Sequence, residues 1–290
     1  MIPKGFEYHS PTSLDQAVAL LQKHGEEAKI LSGGHSLIPL MKLRFAEPSV
    51  IVDINRIAGL DYLKEEGGML KIGALVRESD LESSATVKAK FPLILDAAKL
   101  IADPSVRNRA TVCGNLAHGD PANDHPAVML ALGAQIVAQG TGKERVVPVT
   151  EFFVDTLTTA LKPGEILKEV RIPIPPAHSG GAYLKLERRV GDFAIVAVAA
   201  QLTLDGNKIE TAGIGLTNAG RVPIKATKAE AFLVGKDATE ANFAEAGKLA
   251  EAASDPASDT RAPADYKKAM VRELTARALR KAAERAKGGK

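Results

Sequence analysis

The stretch SGGHSLIPLMKLRF, residues Ser32 to Phe45, places two glycines and three polar residues directly before an apolar segment with helical spacing. Lys29 to Leu31 before it predict a short strand, and Leu37 to Arg44 within it predict a helix. A glycine-rich turn in this position suits a phosphate, because glycine lets the main chain approach closely and successive N–H groups form an anion-binding nest beside the helix N-terminus. On its own, the motif is equally compatible with a purely structural turn.

The common nucleotide-binding fingerprints are missing from the sequence. It contains no GxxxxGK[ST] P-loop and no GxGxxG dinucleotide motif. Gly213-Ile-Gly215 lies inside a strand-like run and has no third glycine at the required spacing. The turn at Ser32 is therefore neither a P-loop nor a Rossmann turn.

Composition excludes several classes of protein. The chain has 290 residues, a hydrophobic fraction of 45% and a formal net charge of +3, which allow a sizeable core and give no indication of nucleic acid or membrane binding. It has no run of about eighteen apolar residues, and its start, MIPKGFEYHS, lacks the apolar region of a signal peptide. Cys113 is the only cysteine, which excludes intramolecular disulfides, a four-cysteine iron–sulfur cluster and a multi-cysteine zinc site within this chain. We expect a cytoplasmic protein without a transmembrane segment.

The predicted elements divide the chain into three parts, and the fold class is α+β with an α/β N-terminal unit. With a helix at Ser13 to His24 and a strand at Val50 to Ile54, residues 1–57 predict a β-α-β-α-β unit. Short strands and helices mix over residues 58–177, and PIPPAHSGG, Pro173 to Gly181, is the clearest break. Residues 178–290 predict an α+β domain with a three-stranded antiparallel sheet followed by helices. Its predicted strands are Ala182–Glu187, Ala194–Leu204 and Lys208–Leu216, and its predicted helices are Ile224–Leu233, Thr239–Ala253 and a final helix from about Pro263.

A second informative stretch is NRATVCGNLAHGDPANDHPAV, Asn108 to Val128. Its glycines, prolines, asparagines and aspartates predict a long polar loop, followed by an apolar helix, AVMLAL, at Ala127–Leu132. Such loops inside compact domains are usually functional. Its first part, Thr111 to Asn115, offers another bend of small residues. Two bends far apart in sequence suit one extended ligand, and a diphosphate joining two heterocycles fits better than a lone phosphate.

Two other functions compete with this interpretation. His118, Asp120, Asp124 and His125 are acceptable ligands for zinc or iron, which would suit a metal-dependent hydrolase, although their spacing matches no HExxH helix. The final helix is basic, with ten Lys or Arg and three Asp or Glu between Arg261 and Lys290. It is interpreted either as a solvated face or as a docking surface of a non-catalytic interaction subunit.

The two bends in this order resemble the FAD motifs of the flavin-binding medium subunit of molybdenum-containing hydroxylases, and most closely the carbon monoxide dehydrogenase type. The resemblance extends to YLKLERRVGDFAIVAVAA, Tyr183 to Ala200, and to AGRVPIKATKAEAFLVGK, Ala219 to Lys236. It implies a two-part FAD-binding module of the vanillyl-alcohol-oxidase/PCMH type followed by a C-terminal domain. The motifs are specific for the flavin module and much less specific for the substrate.

The resemblance implies that both bends wrap the FAD diphosphate. In the first bend, the matching residues are Ser32, Gly33, Gly34, His35 and Ser36, with Leu37 beginning the helix. In the second bend, they are Thr111, Val112, Cys113, Gly114 and Asn115. Cys113 replaces a glycine of the family pattern, which is harmless if its φ is negative. A small filler residue is a simpler interpretation of Cys113 than a reactive thiol.

The resemblance also implies contacts with the rest of the cofactor. Asp124 would bind near the adenosine ribose, and Leu167 would line the flavin or adenine pocket. Lys185 and Asp192 match positions near the flavin ring, where a lysine would raise the flavin potential; the alternative for Lys185 is a solvated strand lysine. Phe193 would cover one face of the isoalloxazine, or else pack in the core.

Partners follow from the resemblance as well. It implies an iron–sulfur small subunit with [2Fe-2S] clusters and a large subunit with a molybdopterin-type cofactor, assembled as a dimer of heterotrimers. Electrons would pass from molybdenum through the clusters to FAD and then to an external acceptor, through which the complex would associate with a membrane. Related flavin subunits serve xanthine, aldehyde and aromatic-heterocycle hydroxylases, so the substrate stays open.

Overall fold

The computed structural model describes residues 2–289 of the chain. The first part of the chain forms a small parallel sheet. Its strand order is β1-β3-β2, and both pairings are parallel. The predicted β-α-β-α-β unit is therefore confirmed. Ser13 caps the first helix, because its hydroxyl accepts the N–H of Gln16 at 3.3 Å. The elements are β1 (Glu7–His9), α1 (Leu14–His24), β2 (Ala28–Leu31), α2 (Leu37–Leu43) and β3 (Val50–Asp53).

The two helices of this unit cover opposite faces of its sheet. Helix α1 buries Ala17, Val18 and Leu21 in the same apolar cluster as Val50 and Val52. The other face is covered by α2, where an apolar pocket is lined by Pro3, Phe6, Tyr8, Leu31, Leu37, Ile38, Met41 and Ile51. Alternation along each strand thus decides which side chains meet which helix.

The middle part is built on a five-stranded sheet of order β4-β5-β10-β6-β7, in which neighbouring strands are antiparallel. Its first elements are β4 (Leu63–Glu66), β5 (Met69–Gly73), α3 (Glu78–Ser83), α4 (Ala85–Lys90), α5 (Pro92–Leu100), α6 (Pro104–Arg107), α7 (Val112–His118) and α8 (Asp124–Leu132). They are followed by β6 (Gln135–Gln139), β7 (Glu144–Pro148), β8 (Phe153–Asp155), β9 (Thr158–Thr159) and β10 (Ile166–Pro173).

The prediction of one long loop from Asn108 up to the helix at Ala127 is wrong, whereas the helix predicted over Ala127–Leu132 is confirmed as part of α8. Helix α7 lies within that stretch, and α8 begins at Asp124. Thr111 starts α7 by accepting the N–H of Gly114 on its hydroxyl at 3.1 Å, and Gly119, at φ +67°, ends it. The glycines and polar residues that suggested a loop are thus partly the caps of a short helix.

The C-terminal part carries an antiparallel sheet, as predicted, but the sheet has four strands rather than three. The region Ile224–Leu233, predicted as one helix, divides into an edge strand and a shorter helix. The strand forms because Ile224 and Lys225 pair with Leu216 and Gly215 of the neighbouring strand, which satisfies their backbone groups. The elements are β11 (Ser179–Leu186), β12 (Val196–Asp205), β13 (Lys208–Thr217), β14 (Ile224–Lys225), α9 (Thr227–Leu233), α10 (Glu240–Ala253) and α11 (Ala264–Ala286).

Helices cover both faces of this sheet. On β12, Ala197 and Ala199 join the apolar cluster shared with the first two parts, whereas Val196 and Val198 join a second cluster with α9, α10 and α11. Gly215 of β13 lies against α8, and a Cβ there would come 2.7 Å from the carbonyl carbon of Ala127. The glycine pair that resembled part of a nucleotide motif therefore serves helix packing.

Basic residues of α11 are largely paired within the chain. Arg285 binds Asp96 of α5 at 2.7 Å, and Arg272 binds Glu251 at 3.3 Å. The helix thus uses much of its positive charge internally, which weakens the docking-surface interpretation. None of the helices within residues 2–289 is both long enough and apolar enough to cross a bilayer.

Candidate functional site

The first bend joins the end of β2 to the start of α2, as the sequence predicts. Gly34 has φ +79°, in the left-handed region that favours glycine, and a Cβ there would lie 2.7 Å from Ile38 Cδ1. The Gly34 carbonyl accepts the N–H of Ile38 at 3.0 Å, which starts the helix. Gly34 is therefore required by the bend itself, whatever the bend binds.

The second bend is the first turn of α7. Cys113 lies inside the helix at negative φ, so its replacement of the family glycine causes no strain. Its thiol is buried and donates to the carbonyl of Ile72 at 3.7 Å. Burial raises the pKa of the Cys113 thiol far above its ordinary value, which disfavours the reactive thiolate. The interpretation as a filler residue fits this environment.

The two bends are in direct contact. Ser32 Oγ lies 3.2 Å from Thr111 Oγ1, and either hydroxyl is able to donate. A Cβ on Gly33 would overlap the carbonyl oxygen of Arg109 and lie 2.8 Å from Ala110 Cα. Gly33 therefore lets the first bend rest against the segment that leads into the second. The predicted meeting of two distant bends is confirmed.

A hydrogen-bond network that the sequence analysis missed holds the bends together. Asn55 Nδ2 donates to the Ser32 carbonyl at 2.8 Å, and Arg77 donates to Asn55 Oδ1 at 2.6 Å. The same guanidinium donates to the carbonyl of Arg109 at 2.6 Å. A sequence signal existed for Asn55, because it follows β3, and the carboxyl ends of parallel strands lie at one edge of a sheet.

The bends present polar groups that the protein does not satisfy. Within residues 2–289, the backbone N–H groups of residues 33–37 have no protein acceptor, and neither does that of Cys113. Asn115 Oδ1 is buried without a hydrogen-bond partner in the described chain. The N–H groups of residues 33–37 lie in a half-exposed bend at a helix start, where they are free to donate to a ligand rich in acceptors. Buried polar atoms are rarely left unpaired, so Asn115 Oδ1 indicates a donor on that ligand. The pyrophosphate and hydroxyl groups of FAD meet that requirement.

The positive charge beside the bends comes from arginine rather than histidine. Partial burial lowers the pKa of His35, and the Arg109 guanidinium lowers it further, so His35 is neutral near pH 7. Arg109 is exposed and lies in the segment against which Gly33 rests. A permanent cation therefore stands where an anionic pyrophosphate would be attracted.

Asp124 and Lys185 form a buried ion pair between α8 and β11. Lys185 Nζ lies 3.1 Å from Asp124 Oδ2, and the other carboxylate oxygen accepts the Tyr183 hydroxyl at 2.7 Å. The Lys185 side chain is only 1% exposed, so the interpretation as a solvated strand lysine is wrong. Burial raises the pKa of Asp124 even with the lysine beside it. A ribose contact by Asp124 and a flavin contact by Lys185 stay predictions.

Asp192 and Phe193 lie in the loop between β11 and β12. Asp192 pairs with Arg188 at 2.9 Å and with Arg261 at 3.4 Å. Phe193 is 46% exposed with Arg261 at 5.8 Å from its ring centroid, so the alternative of core packing is wrong. Leu167, in contrast, is buried on β10. Contacts of these residues with the cofactor stay predictions.

The four candidate metal ligands do not converge. His125 is fully buried against Glu78, with its Nε2 2.7 Å from the carboxylate, and Asp124 is engaged by Tyr183 and Lys185. His118 Nε2 lies 4.0 Å from Asp120, with no third ligand. Within residues 2–289, this quartet therefore forms no shared site, and the geometry does not support a hydrolase.

The fold and the paired bends define a class of protein, and comparison with known families agrees. Residues 4–175 match the family described as FAD binding domain in molybdopterin dehydrogenase, and residues 181–282 match the CO dehydrogenase flavoprotein C-terminal domain. The chain belongs to this family of FAD-binding subunits of molybdenum hydroxylases, which are oxidoreductases.

Individual relatives are similar over nearly the whole chain. The carbon monoxide dehydrogenase medium chain of Hydrogenophaga pseudoflava is 46% identical over 279 residues, covering 96% of this chain and 97% of the relative. The carbon monoxide dehydrogenase medium chain of Afipia carboxidovorans is 45% identical, and the match covers 99% of this chain and 100% of the relative. The solved carbon monoxide dehydrogenase from Hydrogenophaga pseudoflava that lacks the Mo-pyranopterin moiety matches with a TM-score of 0.96, 47% identity and coverage of 98% and 99%. The predicted resemblance and fold class are confirmed.

Proposed function

We propose that this chain is the medium subunit of a carbon monoxide dehydrogenase and holds FAD by its pyrophosphate between the two bends. Family membership supports the cofactor, and the identities of 46% and 45% to medium chains of that enzyme support the choice of assembly. The observation that carries the binding site is the contact of Ser32 with Thr111, because it joins two segments that both leave polar groups unpaired.

Each part of the site has a distinct task in this proposal. The N–H groups of residues 33–37 donate to pyrophosphate oxygens, and the Ser32 and Thr111 hydroxyls orient the two bends. Asn115 turns its unpaired amide oxygen toward a hydroxyl or N–H of the cofactor. Bound FAD supplies electron transfer in steps of one or two electrons. From the family resemblance, we also propose contacts of Asp124 with the ribose region, of Leu167 with a ring, and of Lys185, Asp192 and Phe193 near the flavin.

Partner subunits complete the proposed assembly. A chain with a single, buried cysteine offers no ligand set for a cysteine-bound iron–sulfur cluster, so clusters that serve the FAD would belong to another polypeptide. We propose an iron–sulfur small subunit and a molybdopterin large subunit, assembled as a dimer of heterotrimers that passes electrons to an external acceptor. The substrate is chosen in the large subunit.

Titration of the isolated, cofactor-free chain tests the binding site. We expect FAD to bind with one equivalent per chain, monitored by the change in flavin absorbance. ADP should displace FAD, because it carries the same pyrophosphate, whereas riboflavin, which carries none, should not. Failure of the chain to bind FAD, or displacement by riboflavin but not by ADP, would contradict a site organised around the pyrophosphate.

Asn115→Leu separates a cofactor contact from a structural role. The unpaired Asn115 oxygen costs the free chain about 1–3 kcal/mol, so leucine should leave the free energy of unfolding equal or higher. FAD affinity should nevertheless fall. The matched control is Asn242→Leu in α10, which should leave FAD affinity unchanged. An Asn115→Leu chain that binds FAD like the wild type would remove Asn115 from the site.

The assembly is tested by purifying the tagged chain with its natural partners. We expect co-purifying subunits that contain molybdenum and iron, and bleaching of the flavin absorbance when carbon monoxide is added. Bleaching by an aldehyde or an N-heterocycle but not by carbon monoxide would assign the chain to a related hydroxylase.

A further inference from the structure

Glu7, His9 and His24 bring three potential metal ligands together at the N-terminal sheet. One ring nitrogen of each histidine and a carboxylate oxygen of Glu7 lie within 4.8 Å of one another. Among the described residues 2–289, no other three histidine, cysteine, aspartate or glutamate side chains converge in this way. Glu7 and His9 are alternate residues of β1 and therefore share one face of the sheet, and His24 is the last residue of α1.

The two imidazoles lack the hydrogen bonds that buried rings normally make. His9 Nε2 and His24 Nε2 are both shielded from water, and neither has a hydrogen-bond partner in the part of the chain that is described. Glu7 Oε1 lies 2.8 Å from His9 Nε2 but is not aligned for a hydrogen bond. The ring centroids are 5.8 Å apart and tilted by 37°, so the rings are not stacked face to face. A bound cation would satisfy ring nitrogens that the protein leaves unpaired.

We propose that Glu7, His9 and His24 bind one divalent transition-metal ion, with Zn²⁺ as the preferred probe. Imidazole nitrogen suits Zn²⁺, Ni²⁺ and Cu²⁺, whereas Mg²⁺ and Ca²⁺ prefer sites made only of oxygen. Two histidines and one carboxylate make a known three-ligand set for Zn²⁺, with water in the fourth position. The site is independent of the proposed FAD contacts.

Small side-chain movements complete the site. Zinc ligands stand about 2.1 Å from the ion, so ligand atoms in a tetrahedral site are about 3.4 Å apart. The present separations of up to 4.8 Å therefore shorten by at most about 1.4 Å on binding. Glu7 is exposed and free to change rotamer, and His24 stands at the end of its helix. The ion would tie β1, an edge strand of three residues, to the end of α1.

This site is separated from the paired bends. Strands β1 and β2 lie at opposite edges of the sheet, and the first bend follows β2. The cluster is on the face that α1 covers, whereas α2 covers the other face. Loss of metal binding should consequently leave FAD binding unchanged.

Titration of the full chain with Zn²⁺ tests the proposal, after removal of any affinity tag and dialysis against EDTA. We expect one equivalent of Zn²⁺ by isothermal calorimetry, a rise in the midpoint of thermal unfolding that EDTA reverses, and no response to Mg²⁺. Glu7→Gln and His24→Gln should each lose the bound equivalent and the thermal shift. The matched control is His178→Gln, which replaces an exposed histidine outside the cluster and should retain both.

Two outcomes would overturn the proposal. One is a wild-type chain that binds no Zn²⁺. The other is a Glu7→Gln or His24→Gln chain whose stoichiometry and thermal shift equal those of the wild type. Because Glu7 is exposed, Glu7→Gln is expected to fold, and its circular dichroism spectrum verifies this.

Discussion

Lys185→Met should destabilise the chain strongly, because it removes one partner of a buried ion pair. Lys185 Nζ also lies 3.2 Å from the Leu100 carbonyl and 3.4 Å from Glu187. Methionine keeps most of the volume. It leaves the Asp124 carboxylate, whose side chain is 8% exposed, with only the Tyr183 hydroxyl as a partner.

The magnitude follows from the separation of the charges. At 3.1 Å and an effective dielectric constant of about 20, the attraction between Lys185 and Asp124 is about 5 kcal/mol. Breaking a buried pair by removing one partner costs about 3–5 kcal/mol. We therefore expect the free energy of unfolding to fall by about 3–5 kcal/mol. In Asp124→Asn/Lys185→Met, the loss should be smaller than the sum of the two single losses.

The assay is urea unfolding of the cofactor-free chain at pH 7, followed by far-ultraviolet circular dichroism. Lys208→Met, which replaces an exposed lysine on β13, is the control and should change stability by less than about 0.5 kcal/mol. A loss below about 1 kcal/mol for Lys185→Met, or additive losses in the double variant, would refute a stabilising buried pair between α8 and β11.

Three further predictions concern other buried positions. Gly215→Ala should lower the free energy of unfolding by about 1–3 kcal/mol, because its Cβ would press into the Ala127 carbonyl, and urea unfolding measures this. Cys113 should resist thiol reagents in the native chain and react fully in denaturant, because burial raises the pKa of its thiol. Burial alone would lower the pKa of His125, but the Glu78 carboxylate holds that pKa above 6.5. The protonated His125 ring should therefore stabilise the folded chain fully below about pH 6.5, and this stabilisation should be lost as the pH rises through the higher pKa of the folded state. The measurement is the difference in unfolding free energy between the wild type and His125→Gln as a function of pH.

Each of these predictions has a control or a contrary result. Gly5→Ala is the control for Gly215→Ala, because a Cβ at Gly5 meets no atom within 4 Å. Equal stability of the two variants would contradict close packing of α8 on β13. Rapid labelling of native Cys113 would contradict its burial. A difference between wild type and His125→Gln that does not change from pH 6 to pH 9 would contradict a raised pKa of His125.

The sequence predicts the elements whose signals are local. Apolar spacing indicated α1, and the capping residue Ser13 is observed. Thr239 was also predicted at the start of α10, and its hydroxyl accepts the N–H of Asn242 at 3.4 Å. Helix α7 was missed although its caps, Thr111 and Gly119, are local, because the same residue types also predict loops. Another missed element depends on tertiary pairing. Strand β14 is two residues long and exists only because β13 lies beside it. No local pattern separates such a strand from the first turn of a helix.

The site could be predicted only in part, because some of its features have local sequence signals and others depend on contacts between distant segments. Both bends carry compositional signals, but the network through Asn55 and Arg77 joins residues from three separate segments. The environment of Lys185 also depends on a partner 61 positions away, so the sequence left open whether this strand lysine is solvated or buried. Residue type indicated which chemistry is available, and only the fold shows which groups are paired and which are left free.

The most direct test of the account is a crystal structure of this chain with FAD. We predict that the pyrophosphate oxygens lie about 3 Å from backbone N–H groups of residues 33–37 and also contact the segment Thr111–Asn115. A pyrophosphate held by only one of these segments, or located elsewhere on the chain, would contradict the claim that the two bends bind one cofactor together.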